Sequence, residues 1–319
     1  MDNYEIIDKL SKLTADKSKF VVFPSREGHS YYGKNAESDI VFMILSGANR
    51  LPPVSLETKS LSFVFNYSGS FIVNGDVKNK IVHILTCKER KTEIIEAFVR
   101  LTKAFATNEE NDDQVYLPKL FSILSSLFDK ERAVNDIELI GLYAELYSIK
   151  LFREFGFDIA SKWQSRDRMK FDFSFNEEKR LEIKSTIKPT RIHHFRHEQL
   201  LSEIYDIVVV SIMVQPNDAG LSLFDLIEEI RSENTSRFAI QARIDSIVAH
   251  VTTESLHAIK YDERYSKNNI KFYRASQIPH FNEKTPEGVF HAEYDCDLEN
   301  VSSLSIDEVI IWMEENTDV

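Results

Sequence analysis

The chain has 319 residues, 43% hydrophobic and 28% charged, with a formal net charge of -12. That is ample for one large domain or two medium ones with a real core, and the acidic balance argues against a protein that coats nucleic acid. No apolar run approaches the length of a membrane span, and the start MDNYEIIDKLSKLT lacks the basic-then-apolar order of a secretory signal, so a cytoplasmic protein is expected.

In chain order, the first element type is the strand. KFVVFPS, DIVFMIL, LSFVFNYS, SFIVNG and KIVHILTC are short runs rich in β-branched and aromatic residues. Gly, Pro, Asn and Asp punctuate them, and VNGDV reads as a hairpin turn. These runs predict an antiparallel β-rich module whose aromatic strands form a core and a partner surface. Helices are expected over about 91–107 and 117–128, with TNEENDD as a solvated linker between them. VNDIELIGLYAELYSIKLFREFGF is a strong helix: Leu139, Leu142, Leu146 and Ile149 recur at helical spacing, Asn135 or Asp136 caps the start, and Gly156 ends it. Two short strands follow in FDFSFNEEKRLEIKST, then the continuously apolar YDIVVVSIMVQ, as for a strand buried on both faces. Helices are expected in LSLFDLIEEIRSE, over about 236–250, and over about 305–316, with alternating NNIKFYRASQI and VFHAEYDCDL between the last two. The expected organisation is a β-rich module with trailing helices over 1–130, an α/β core over 131–260 and a mixed extension over 261–319. Cys87 and Cys296 have no partner at metal-ligand spacing and read as ordinary residues.

The chemistry concentrates in residues 171–186. Side chains alternate along a strand, so Glu182, Lys184 and Thr186 share one face of RLEIKST. In FDFSF, Phe171, Phe173 and Phe175 point inward and Asp172 takes the opposite face. The charged turn NEEKR folds one strand back on the other and brings Asp172 toward Glu182. Two converging carboxylates repel unless a cation sits between them. Mg²⁺ prefers hard oxygen ligands and often uses one or two carboxylates plus substrate phosphate oxygens. A lysine beside them orients a water or stabilises charge on a phosphate. The bland alternative is a charged hairpin with a cross-strand ion pair.

The pattern Asp172-x9-Glu182-x-Lys184 resembles the PD-(D/E)XK nuclease superfamily, with its restriction-endonuclease-like core of a mixed sheet flanked by helices. Glu145 in GLYAELY matches the glutamate of the preceding helix, and the likeness covers about residues 136–250. Together, GLYAEL, KFDFSF, LEIKST, RIHHFRHEQL and PEGVFHAEYDCDL resemble an uncharacterised bacterial group of PD-(D/E)XK proteins often encoded beside restriction-modification and phage-defence genes. The resemblance implies a Mg²⁺-dependent endonuclease, with Mn²⁺ as substitute, acting on DNA. It makes Asp172, Glu182 and Lys184 the catalytic set. Asp172, Glu182, the Ile183 carbonyl and Glu145 would hold the metal, and Lys184 would position the attacking water. Phe171 stands where the superfamily often has Pro, and Gln199 loosely matches a downstream glutamine of some branches.

The 161–200 window holds ten Lys/Arg against six Asp/Glu, a net +4, leaving -16 for the rest of the chain. A positive island on an acidic body suits a local phosphate site. Lys188, Arg191, His193, His194 and Arg196 follow the motif strand, and Arg166 and Arg168 precede it; all seven are candidates to grip nucleic acid. His193, His194 and His197 would suit zinc if two imidazoles shared a helical face, but phosphate contact is the favoured reading. Trp163 either stacks on nucleic acid or packs in the core. Ser185 and Thr186 donate to phosphate or finish the strand. A homodimer or a place in a larger defence complex is expected. The competing readings are a non-catalytic subunit that docks nucleic acid or a partner, and an RNA-directed nuclease with the same chemistry.

Overall fold

Asp2 and Glu5 close a capping box that starts the helix α1 (Asn3–Lys12), with Ile6 and Leu10 buried one turn apart. The computed structural model describes residues 1–26, 29–46, 54–107, 113–128, 135–163, 171–201, 205–282, 286 and 292–314. By internal contacts the chain divides into one unit of Met1–Ala133 with Thr235–Val251 and another of Val134–Asn234 with Thr252–Val319.

The first unit carries six strands: β1 (Phe20–Arg26), β2 (Ser30–Lys34), β3 (Ile40–Leu45), β4 (Val54–Glu57), β5 (Leu61–Val73) and β6 (Asp76–Cys87). They run in the order β1-β2-β3-β6-β5-β4, and β1 also pairs parallel with β5 through Phe20–Phe71, Val21–Ile72 and Val22–Val73. That extra pairing closes β1, β2, β3, β6 and β5 into a small barrel and removes the sheet edge there. Alternation then sorts the side chains. Val22, Tyr31, Val41, Met43, Phe71, Val73, Val82 and Ile84 form one cluster. Phe23, Tyr32, Phe42, Phe63 and Leu85, on the alternate face, pack with the helices α2 (Thr92–Thr107) and α3 (Asp113–Phe128). The turn expected in VNGDV forms, with Asn74 and Gly75 both at positive φ, 52° and 92°. Two runs read as separate strands, LSFVFNYS and SFIVNG, are one strand bent by a bulge. Asn66 occupies the bulge at φ 54°, and its N–H donates to His83 Nδ1 at 3.2 Å. The linker TNEENDD falls almost wholly outside the described residues.

The second unit begins with α4 (Asp136–Glu154), capped by Asn135 and Glu138 as a capping box. Gly156, at φ 88°, ends it: the Gly156 N–H donates to Arg153 O and the Phe157 N–H to Phe152 O, the paired bonds of a Schellman cap. Then come β7 (Phe173–Ser174), β8 (Lys179–Thr186), β9 (Ile192–Arg196), β10 (Asp206–Met213), β11 (Pro216–Ser222) and α5 (Leu223–Glu233). The helix α6 (Phe238–Val248) belongs to the first unit, where it packs on α2 and α3. Arg100 of α2 grips Asp245 of α6 through two bonds, Nε to Oδ2 at 3.1 Å and Nη2 to Oδ1 at 2.5 Å. The second unit resumes with α7 (Thr253–Ala258), β12 (Lys260–Tyr261), α8 (Glu263–Asn268), β13 (Ile270–Arg274), β14 (Glu293–Asp297) and α9 (Ile306–Glu314).

Its main sheet has the order β13-β10-β8-β7, with β8 and β10 parallel over eight residue pairs and the outer strands antiparallel. From Ile207 to Met213, β10 is buried at every position, as a run that is apolar except for Ser211 requires. The helix α4 lies on β8 and against α5. Two short pairs, β11 with β12 and β9 with β14, complete the strands. The result is a mixed α/β fold. Both cysteines are buried and unpaired, and among the described residues no helix is long and apolar enough to cross a membrane.

Candidate active site

The strand β7 is only two residues long and pairs with β8 through Phe173–Leu181 and Ser174–Arg180. Asp172 therefore sits just before the strand instead of within it. Its Oδ2 accepts the Ile183 N–H at 2.7 Å, where another strand residue would have continued the ladder. The N–H and C=O of one strand residue leave by the same edge. The Ile183 carbonyl therefore faces the same side as Asp172.

Glu182 and Lys184 do share a face of β8, and their side chains meet: Lys184 Nζ lies 2.9 Å from Glu182 Oε1. Gln199, in a short turn after β9, ties the pair together. Its Nε2 donates to Glu182 Oε1 at 2.6 Å, and its Oε1 accepts from Lys184 Nζ at 3.1 Å and from the Arg196 N–H at 3.0 Å. The Lys184 ammonium also lies 5.0 Å from the centre of the Phe195 ring. Glu182 is 4% exposed, and its second oxygen, Oε2, is buried with no hydrogen-bond partner. Glu145 projects from α4 and accepts the Trp163 Nε1–H on Oε2 at 2.6 Å.

Electrostatics make the site a strained group of carboxylates. Burial pushes the Asp172 carboxyl well above its usual range, and the Glu182 and Glu145 carboxylates push it further; the Ile183 N–H and Lys184 act the other way. Burial also raises Glu182, against the pull of Lys184. Asp172, Glu182 and Glu145 sense one another, yet among the described residues no three acidic, His or Cys side chains close into a ready-made metal cage. The donor set nonetheless fits a hard divalent cation. An orphaned buried carboxylate oxygen, a second raised carboxylate and a backbone carbonyl facing the same edge are oxygen donors that gain from positive charge, and Mg²⁺ commonly takes its remaining ligands from water and phosphate.

The candidate phosphate-gripping residues divide. Lys188 is exposed. RIHHFR is not helical but the strand β9, so its side chains alternate in and out. Arg191 and His193 are thereby corrected: both are 3% exposed and turn inward. Arg191 Nη1 donates to Ser211 O and Oγ at 3.1 and 2.9 Å and its Nη2 to Asn269 O. His193 Nε2 lies 2.7 Å from Ser211 Oγ, and burial lowers its pKa to about 4, leaving it uncharged at neutral pH. His194 and Arg196 face outward but are already paired with β14. His194 lies 3.0 Å from Asp295 Oδ1 and 3.1 Å from Glu293 Oε2; Arg196 Nε lies 3.3 Å from Glu293 Oε1. The two carboxylates raise the His194 pKa. Arg166 and Arg168 lie outside the described residues. His193, His194 and His197 share no helical face, since the first two lie in β9 and the third in the turn after it, and among the described residues no three His, Cys, Asp or Glu side chains gather to hold a metal ion. Trp163 resolves as core: it is 6% exposed and stacks on Phe173, rings 6.4 Å apart and 19° from parallel. Sequence reasoning set Gln199 aside as a loose match and missed the Trp163–Glu145 bond. The second had one signal, since a buried indole N–H needs an acceptor.

A glutamate-bearing helix against a mixed sheet, with Asp172 beside a strand carrying Glu182 and Lys184, is the arrangement of the PD-(D/E)XK class of α/β proteins. The chain belongs to the family described as "Putative PD-(D/E)XK family member, (DUF4420)", whose model matches residues 6–299. No curated protein and no solved structure matches it. Membership suggests a nuclease-like function, and nucleases of this class usually use divalent metals.

Proposed function

We propose that the protein is a divalent-metal-dependent endonuclease that hydrolyses DNA phosphodiester bonds in a restriction or phage-defence setting. The observation that carries this reading is the buried Glu182 carboxylate. One of its oxygens is shared by Lys184 and Gln199, the other has no partner, and Asp172 lies close enough to be raised by it. Asp172, Glu182 and the Ile183 carbonyl would hold Mg²⁺ or Mn²⁺, with Glu145 binding directly or through water. Bound there, the metal would polarise the scissile phosphate. Lys184, fixed by Glu182 and Gln199, orients the attacking water and stabilises charge on the phosphate as the P–O ester bond breaks. Lys188, which is exposed, would contact the backbone beyond the motif strand.

The test is cleavage of supercoiled and linear DNA with Mg²⁺ or Mn²⁺, wild type against Lys184→Ala. Loss by about 10²-fold or more is expected; equal rates in the two proteins would falsify the site. The same assay on RNA decides between the two substrates.

One observation favours a second reading, a subunit that binds nucleic acid with a partner: the outward cations of β9 are neutralised by β14, and Arg191, just before the strand, is buried. A direct consequence is measurable by anisotropy of a labelled duplex. Converting Glu293→Gln and Asp295→Asn should tighten binding and steepen its salt dependence. At pH 7.5 the slope should grow by about one counterion, from Arg196; at pH 6 by about two, because His194, freed from its carboxylates, then falls back toward the ordinary value near 6.5. An unchanged slope at both pH values would mean this face does not meet phosphate.

A further inference from the structure

We propose that Trp163 is a positioning residue for the metal site, acting through Glu145 on the binding of a hard divalent cation; the inference rests on the metal reading above. Its basis is a single indole in contact with two elements that carry acidic groups. The Trp163 Nε1–H donates to Glu145 Oε2 at 2.6 Å. Both partners are nearly enclosed, at 6% and 9% exposed. The backbone of Trp163 bridges antiparallel to Phe173, and its ring stacks on the Phe173 ring. Phe173 is the residue next to Asp172.

Three physical consequences follow. An indole N–H is a donor only, so it occupies one glutamate oxygen without competing for the cation. A glutamate on a helix has three side-chain torsions to fix, and this bond, with burial, restricts them. The same ring seats the strand whose first neighbour is Asp172, so α4 and β7 are referenced to one rigid group. Donors to ligating carboxylates hold the ligands in orientation, and their loss typically weakens metal affinity 10- to 100-fold.

The experiment is Mn²⁺ binding to the full chain, without substrate, by calorimetry or by loss of the free Mn²⁺ EPR signal. Wild type, Trp163→Phe, Glu145→Gln and the double variant are compared, with far-UV circular dichroism as the folding control. Phe keeps the stack and removes the N–H. About 10-fold weaker Mn²⁺ binding is expected in Trp163→Phe. The double variant should bind no more weakly than Glu145→Gln alone, because the indole acts through that carboxylate. Should Trp163→Phe lose its native dichroism, Trp163→His, which keeps a ring N–H, takes its place and should bind within a few-fold of wild type. Wild-type affinity in Trp163→Phe, or a further 10-fold loss on adding it to Glu145→Gln, overturns the inference and leaves the metal site standing. No Mn²⁺ binding by the wild type removes the metal reading and the inference with it.

Discussion

Asp172→Asn is expected to lower metal-dependent cleavage by about 10²-fold or more while making the metal-free protein less sensitive to rising pH. The two effects share one cause. The Asp172 carboxyl is pushed well above its usual range, by burial first and then by Glu182 and Glu145. A carboxyl raised in the folded state favours folding while protonated in both states, below the ordinary value near 3.9. That contribution is lost as pH rises through the folded value, because the unfolded chain ionises first. Asn carries no charge to lose and still offers an oxygen to the Ile183 N–H. Melting temperatures in EDTA across pH 5 to 8.5 should therefore fall more in the wild type than in the variant. Added Mn²⁺ should raise the wild type, by linkage to binding, and leave the variant nearly unmoved. A variant that melts below the wild type at the alkaline end would contradict the crowded-carboxylate account. One that cleaves at the wild-type rate would dispose of the site.

How much of this was legible in the sequence depends on how local the cause was. The helix α4, with its Asn135 cap and Gly156 stop, and the buried strand β10 are written in short-range pattern, and both form where that pattern puts them. The pairing of Glu182 with Lys184 follows from strand alternation alone. Most of what failed was non-local. The strand β9 hides its alternation because the inward residues at its start are polar: Arg191, just before it, and His193, within it, are buried because Ser211 and Asn269, on other elements, receive them. Its partner β14 lies about a hundred residues downstream, and the acidic residues that neutralise His194 and Arg196 come from there. Barrel closure rests on three parallel pairs between β1 and β5. The short strands β2 and β4 also escaped, as did α1, though Asp2 and Glu5 spell a capping box at its start. Gln199 shows the limit most plainly. Nothing around it distinguishes a solvent-facing glutamine from one that touches both Glu182 and Lys184.

Arg100→Ala is expected to cost the first unit about 3–5 kcal/mol, the scale for breaking a buried ion pair from one side. Asp245 is fully buried and Arg100 is 15% exposed on its side chain. Two bonds in a fork join them, a geometry that lysine cannot reproduce. Removing the guanidinium takes both of these bonds from a carboxylate that is itself fully buried. The pair matters because α6 reaches α2 and α3 only after the chain has passed through α4 to α5. Hydrophobic contact alone is non-directional, so the fork supplies the register in which α6 docks. The prediction separates register from net stabilisation. Arg100→Met with Asp245→Leu, which removes both charges, should recover most of the loss, since apolar pairs of similar volume often replace buried ion pairs at little cost. Denaturant melts of the single and double variants measure this directly, with the second unit's transition as internal reference. A single variant within about 1 kcal/mol of wild type would show that burial of the flanking apolar residues, and not the ion pair, holds α6 in place.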